Sequence, residues 1–266
     1  MTGVPRPGLR VLVRYGRAAG EPDPRDLAVL SPQERRQAGR FRQPHRGAAY
    51  AAAHATARRC LAERTGGTPE GLHFGRLACP GCGDPDHGRP VVEHPATTWE
   101  SSLSRSGAHW LFVAADGAPV GVDIERIRPV DLGVLGRTVL SGAEAAYLAG
   151  LAPEPRQGAF MRCWTRKEAV VKATGIGIEA DLRSVEVRPW QDTAVVAHQA
   201  VGCAVTHWTV RDLSVPPDCR AALAVPADRE PHLDLASRGG TVLLLDPALR
   251  DRAPLDAPPH PALTRT

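Results

Sequence analysis

Asparagine is absent from this chain, and among its 33 lysine and arginine residues only Lys167 and Lys172 are lysine. Isoleucine is confined to Ile124, Ile127, Ile176 and Ile178. A composition that writes Arg, Ala, Val, Gly and Pro so freely reads as GC-rich coding, so positions that keep Lys or Ile are those expected to need that side chain. All six fall in two short segments, 124–127 and 167–178. Long apolar runs are also missing, and the first fifteen residues scatter Arg6, Arg10 and Arg14 among their apolar neighbours. No segment of the sequence has the length and apolarity of a bilayer span, and no secretory leader is read, so a soluble, cytoplasmic protein is expected. The net charge of +4 is spread along the chain instead of gathered in a basic block, which makes nucleic acid a weak default partner. Six cysteines without a leader are read as reduced thiols, with no disulfide framework.

What is present is a chain of 266 residues, 42% hydrophobic, large enough for one sizeable core or two smaller ones. Leu9–Tyr15 alternates apolar and basic residues as a half-buried strand does. Ser31, Pro32 and Glu34 give an N-cap, a first-turn proline and a capping-box acid, so a helix is predicted to start there. A second helix is predicted over His45–Arg64, stopping at Gly66 and Gly67, and a strand over Leu72–Ala78. Strands follow at Trp99–Ser104, His109–Ala115 and Val120–Glu125, the last two joined by an Asp116-Gly117 hairpin turn. Ser141 with Glu144 is another capping box, Arg156–Thr174 is a long helix closed by Gly175, and strands are predicted at Leu182–Arg188, Cys203–Val210 and Arg220–Val225. The order of strand, helices and strands occurs twice. This points to an α+β fold of two similar halves, 1–112 and 113–232, followed by a Pro-rich tail over 233–266 that is expected to be disordered, most plainly beyond Asp246.

Three constellations carry chemistry. In Gly121-Val122-Asp123-Ile124-Glu125 the two carboxylates share one face of a strand, an arrangement that suits a hard cation such as magnesium and is also ordinary amphipathic patterning. In Trp164 to Lys172, helical spacing stacks Trp164, Glu168 and Lys172 on one face, with Lys167 a quarter-turn away. Glu168 and Lys172 there either complete a metal and phosphate site or form an exposed ion pair; the scarcity of lysine favours the site. Ser104-Arg105-Ser106-Gly107 offers hydroxyls, a guanidinium and backbone amides to a phosphate, or is an ordinary loop.

These segments resemble the Sfp-type 4'-phosphopantetheinyl transferases. Gly121–Glu125 is similar to the family's G-[IV]-D-[IVL]-E motif and Trp164–Lys172 to its W-[ST]-x-K-E-[AS]-x-x-K motif, in the family's order. Ser31–Phe41 resembles its first helix, Gly88-Arg89-Pro90 its G-K-P, and Ser104–Gly107 its S-H-S-G; the likeness runs over about residues 9–225. The resemblance implies a pseudo-dimer of two α/β halves with coenzyme A in the cleft between them. It implies magnesium held by Asp123, Glu125 and Glu168, with Glu168 and Lys172 as the catalytic pair. It also implies coenzyme A contacts from Arg40, Arg46, Arg89, Ser104 and Arg105, and transfer of the 4'-phosphopantetheine arm to a serine of an apo acyl or peptidyl carrier protein. The carriers would belong to polyketide, nonribosomal peptide or fatty acid synthases, the product would be adenosine 3',5'-bisphosphate, and the enzyme would act as a monomer without nucleic acid or membrane.

Some positions depart from the pattern. Arg105 stands where histidine is usual and Arg89 where lysine is usual, while Glu34, Gln37 and Ala49 occupy positions where relatives often carry basic residues. Arginine binds phosphate in a bidentate fork, so Arg89 and Arg105 are expected to supply that charge. Cys79-Pro80-Gly81-Cys82 with His87, and His73 or His94 as a fourth ligand, forms half of a zinc motif, and bound zinc is not the favoured reading. Two other functions are weighed: a noncatalytic carrier-binding homologue that has lost coenzyme A use, and a zinc-knuckle nucleic-acid-binding protein, which would bind with steep salt dependence.

Overall fold

In a strand, successive side chains point to opposite faces, and the first strand uses both. Leu9, Val11, Val13 and Tyr15 of β1 (Leu9–Arg17) are buried on one face while Leu12 is buried on the other. The structure, a computed structural model, describes residues 8–177, 180–199 and 204–238. After β1 come α1 (Pro24–Ala28), α2 (Pro32–Gly39), α3 (Pro44–Thr65), β2 (His73–Arg76), β3 (Pro90–His94), β4 (Trp99–Ser106), β5 (His109–Asp116) and β6 (Gly121–Arg126). They are followed by α4 (Leu132–Val139), α5 (Gly142–Gly150), α6 (Pro153–Thr174), β7 (Thr193–His198), β8 (Thr206–Asp212), β9 (Cys219–Pro226) and β10 (Pro231–Arg238).

The mixed α+β class is as expected. One four-stranded sheet has the order β10-β1-β5-β4, the other β6-β9-β8-β7, and β2 with β3 forms a small ribbon. In both large sheets a first strand is followed by helices and then by an antiparallel hairpin whose last strand, β5 or β9, pairs with the first. The two sheets share one apolar core: Val11, Val13, Leu111 and Val113 of the first meet Val122, Ile124, Leu223 and Val225 of the second. The opposite face of the first sheet packs Trp110, Phe112 and Ala114 against the alanine-rich α3, and the opposite face of the second packs Val196, Val210 and Ala222 against α6. The layers therefore run helix, sheet, sheet, helix. Each fully buried aliphatic side chain in such a core contributes roughly 1.5–3 kcal/mol.

Helix boundaries follow the sequence signals closely. Both capping boxes are formed, by Ser31 with Glu34 and by Ser141 with Glu144. Both 22-residue helices, α3 and α6, stop at a left-handed glycine, Gly66 at φ 71° and Gly175 at φ 80°.

Four expectations need correction. The Asp116-Gly117 turn is not a hairpin, because β5 pairs with β1 and β4 whereas β6 pairs with β9; the four residues 117–120 carry the chain from one sheet to the other. The hairpin is β4–β5, turned at Gly107, so β5 belongs wholly to the first sheet and a boundary at 112 would cut through it. Leu182–Arg188 is not a strand but a 3-10 turn at Leu182–Ser184 followed by irregular backbone, whose carbonyls accept side-chain bonds from α6 instead of joining a ladder. Residues 233–238 are not tail: Leu233 and Leu235 alternate into the core between the sheets, and β10 pairs in parallel with β1. Residues 239–266, along with Cys203, lie outside the described residues.

Lys167 explains one of the two lysines. Its Nζ donates to the carbonyls of Leu182 at 2.8 Å and Val185 at 2.6 Å and sits 2.7 Å from Glu144 Oε2, with both charged side chains 0% exposed. Glu144 also accepts from the backbone N–H of Ser141 and of Val187. Removing one partner of a buried pair strands the other charge. Lys167→Ala is therefore expected to lower stability by about 3–5 kcal/mol, read from urea unfolding; a loss below 1 kcal/mol would show that the pair is not holding the 182–187 segment.

Candidate active site at the β4, β6 and α6 junction

Gly121 sets the depth at which β6 lies on α6. A Cβ there would come within 1.9 Å of the Ala169 carbonyl oxygen and 2.6 Å of the Ala173 nitrogen, so any side chain would lift the strand off the helix. With β6 seated, Val122 and Ile124 enter the core between the sheets, and Asp123 and Glu125 face α6. On α6, the i, i+4, i+8 spacing brings Trp164, Glu168 and Lys172 to the same cleft of about 290 Å³, completed by Leu103, Ser104 and Arg105 of β4. Trp164 packs its ring near that of Phe160, with centroids 6.4 Å apart, and forms an apolar wall.

Among the described residues the edge of β6 away from β9 has no strand partner, and β4 meets it with serines at every second position. Ser102 Oγ accepts from the Val122 N–H at 3.2 Å, and Ser106 Oγ accepts from the Arg126 N–H at 3.0 Å. The same row of hydroxyls donates to the carboxylates: Ser104 Oγ to Asp123 Oδ1 at 2.6 Å and Ser106 Oγ to Glu125 Oε2 at 2.6 Å. Lys172 Nζ also donates to Asp123 Oδ1, at 2.6 Å. Asp123 is 3% exposed, and its other oxygen, Oδ2, is buried without a hydrogen-bond partner among the described residues.

Three carboxylates and one ammonium share this cleft. Burial raises the pKa of Glu168, and the neighbouring Asp123 and Glu125 add to the rise, with Lys172 opposing it. Burial likewise raises Glu125; Asp123 adds to this, while the Ser106 hydroxyl, Lys172 and Arg128 oppose it. Surplus negative charge together with a buried, unpartnered carboxylate oxygen is an environment that a divalent cation would relieve. The donor set is all oxygen, as magnesium requires.

The remaining residues singled out in the sequence are not all in the cleft. Arg105 lines it, but its guanidinium lies over the rings of Tyr50 at 4.8 Å and Phe41 at 5.5 Å, toward α2 and α3. Arg40 and Arg46 are exposed on either side of the α2–α3 turn. Arg89 ion-pairs with Glu100 at 3.2 Å and reaches the Ala173 carbonyl at the end of α6, away from the residues that line the cleft. Glu34 is structural: burial pushes its pKa up, but His54, the Ser31 N–H and Arg58 outweigh that and hold it at about 2. Ala49 is fully buried beneath the first sheet. In the knuckle, Cys82 Sγ lies 3.5 Å from His87 Nδ1, while the buried Cys79 Sγ lies 3.4 Å from the Ile176 carbonyl. His73 and His94 face each other edge to face across β2 and β3. What sequence reasoning missed was Ser102 and the direction in which Ser104 and Ser106 act; the period-two spacing of the three serines was the available signal.

Residues 119–225 match the family model of the 4'-phosphopantetheinyl transferase superfamily. Over those residues the chain is similar to that superfamily. The matched segment runs from just before β6 through β9, so it carries Asp123, Glu125, Glu168 and Lys172, whereas the serine row comes from β4 outside it. Among individual transferases, the chain is 39% identical to 4'-phosphopantetheinyl transferase psf-1 of Bacillus pumilus over 40% of its own length and 44% of that protein's. It is 28% identical to a 4'-phosphopantetheinyl transferase of Bacillus subtilis over 64% of this chain and 71% of the relative. It is 41% identical to 4'-phosphopantetheinyl transferase AcpT of Salmonella typhimurium over 34% of this chain and 47% of the relative. For psf-1 and AcpT the match therefore spans about half of the relative.

The raised carboxylates have a sign that can be tested. A carboxyl whose pKa is higher folded than unfolded binds its proton more readily in the native state, so its contribution to stability falls as pH rises from the ordinary carboxylate range through the raised value. In chelator-treated protein at neutral pH, Glu168→Gln is expected to raise the thermal midpoint by a few degrees and to flatten this part of the pH profile. A lowered midpoint under those conditions would mean that Glu168 is held by favourable contacts and not by repulsion.

Proposed function

We propose that the protein transfers the 4'-phosphopantetheine arm of coenzyme A to a serine of an apo carrier protein. The observation that carries this reading is the convergence of Asp123, Glu125 and Glu168 with Lys172, around a buried carboxylate oxygen that lacks a partner. The repeated order of strand, helices and hairpin supports reading the fold as a pseudo-dimer, with coenzyme A in the cleft at its joint. Asp123, Glu125 and Glu168 would hold magnesium, which when bound supplies positive charge to the pyrophosphate. Arg105, Arg40, Arg46 and Arg89 are the cations proposed to meet the 3'-phosphate end of the donor, and the serine row on β4, Ser104 included, fixes the carboxylates from behind.

In the proposed reaction the carrier serine oxygen attacks the pantetheine-side phosphorus of the pyrophosphate. A phosphodiester bond forms as the bond to adenosine 3',5'-bisphosphate breaks. Glu168, raised above the ordinary carboxylate range, takes the serine proton, directly or through water. Lys172 neutralises charge building on the leaving phosphate, the kind of positioned electrostatic help on which phosphoryl transfer chiefly relies. Acyl and peptidyl carrier proteins of polyketide, nonribosomal peptide or fatty acid synthases are the proposed acceptors, met by a monomer working in the cytoplasm; no described helix is long and apolar enough to cross a membrane. A carrier-binding protein without catalysis would have no use for this carboxylate cluster, which costs stability to maintain.

Incubating the protein with a panel of apo carriers, coenzyme A and magnesium should add one phosphopantetheine to the carrier mass, and no gain on any carrier would overturn the proposal. Asp123→Ala should abolish the gain with the fold intact by circular dichroism. Lys172→Ala should lower kcat roughly a hundredfold. Because Lys172 bonds Asp123 Oδ1 as a compact single-point donor, Lys172→Arg should restore little of that loss; near-complete rescue would show that only its charge matters.

A further inference from the structure

On the face of the second sheet opposite the cleft, three ligand-bearing side chains meet that the transfer chemistry does not use. His109 opens β5, Cys219 opens β9, and Asp218 precedes Cys219 in the β8–β9 turn. One ligand atom from each lies within 4.8 Å of the other two. The His109 ring nitrogen Nε2 is 4.0 Å from Asp218 Oδ2, and Cys219 Sγ is 3.8 Å from Asp218 Oδ1. We propose that His109, Asp218 and Cys219 form a second metal site, for a thiophilic divalent ion of the zinc or cobalt type, that clasps the two sheets together at one rim of their shared core.

The geometry favours this reading over a chance meeting of polar groups. Tetrahedral zinc, with bonds of about 2.0–2.3 Å to nitrogen, oxygen and sulfur, holds its ligands roughly 3.3–3.6 Å apart, so drawing together atoms that already lie within 4.8 Å of one another takes closures of at most about 1.5 Å per pair. Asp218, the exposed member with a side chain 55% accessible, is free to make the adjustment and leaves the fourth position open to water. His109 is already oriented: its Nδ1 lies 2.8 Å from the buried Tyr15 hydroxyl, so a tautomer protonated at Nδ1 turns the Nε2 lone pair toward Asp218 and Cys219. A ligating histidine held through its other nitrogen is the usual arrangement around protein-bound metals. Charge also balances, because a dication with one thiolate and one carboxylate is neutral beside Arg17 and Arg126, whose fields reach His109. The donor set separates the sites by chemistry. Three carboxylates select a hard ion at the cleft, whereas imidazole and thiolate select a softer one here. Binding also releases the thiol proton, so affinity should rise with pH.

Titrating chelator-treated, full-length protein with cobalt(II) should produce a near-ultraviolet thiolate-to-cobalt band and visible bands of tetrahedral intensity, and zinc should displace them and raise the thermal midpoint. Cys219→Ser should remove the bands. Asp218→Asn, at an exposed position that leaves the core intact, should weaken cobalt affinity tenfold or more. Cys82→Ser, which disables the separate knuckle at Cys79, Cys82 and His87, should leave the bands unchanged. A wild-type protein with no thiolate band at millimolar cobalt overturns the proposal. So do bands that survive Cys219→Ser or Asp218→Asn with undiminished affinity, or bands lost in Cys82→Ser.

Discussion

The seam between β4 and β6 is the interaction on which the rest of this site depends. An edge strand exposes a row of backbone N–H groups that must find acceptors wherever it is covered. Here the cover is the β4 strand of the other sheet, which forms no ladder with β6 among the described residues, and the acceptors are side-chain hydroxyls. Ser102 and Ser106 take the N–H groups of Val122 and Arg126. A hydroxyl that accepts from the backbone still has a proton to give, and Ser106 gives its proton to Glu125 as Ser104 does to Asp123. One row of serines thus joins the sheets and aims the carboxylates. A valine in place of Ser106 would fill similar space while leaving an N–H without its acceptor and Glu125 without its donor.

What the seam fixes on one side, close packing fixes on the other. The Cβ-free surface of Gly121 lets β6 sit on the backbone of α6 at Ala169 and Ala173, which brings Glu168 and Lys172 within reach of Asp123. The resulting cluster is unfavourable in isolation: burial and mutual repulsion raise Glu125 and Glu168, and Lys172 offsets only part of the surplus. Such a site persists because the surrounding sheets and α6 are rigid enough to hold it, and local stability given up for charge placement is a common mark of catalytic centres.

Much of this was legible in the sequence because it depends on local rules. Capping boxes at Ser31 and Ser141, terminal glycines at Gly66 and Gly175, period-two alternation in β6 and period-four stacking on α6 are each determined by neighbours a few residues away, and each is where it was expected. The misreadings depend on distant partners. Asp116-Gly117 has the residues of a hairpin turn, and nothing local records that β6 will leave to pair with β9 about a hundred residues later. Leu182–Arg188 has the alternation of a strand, but its carbonyls are claimed by Lys167 and Arg166 of α6. Leu233 and Leu235 were too short a pattern to mark a strand without knowing that the edge of β1 was open to receive it.

The two lysines illustrate how one compositional signal can have two physical causes. Scarcity marks both Lys167 and Lys172 as positions where arginine does not serve, and in the sequence alone it suggests chemistry. Lys172 lies in the cleft, a compact ammonium against a single carboxylate oxygen. Lys167 does not touch the cleft. It lies in a fully enclosed space where one nitrogen must satisfy two carbonyls and Glu144 at once, a task for three diverging N–H bonds on a slender stem and not for a planar guanidinium. Arg166, one residue earlier, shows the converse: its flat fork spans Asp212 and a spread of carbonyls from Val187 to Asp192 that no ammonium could cover. Resistance to replacement therefore reports that the shape of a donor matters. Which neighbours the donor meets is decided by the face of α6 it occupies, and along 164, 168 and 172 that face lines the cleft.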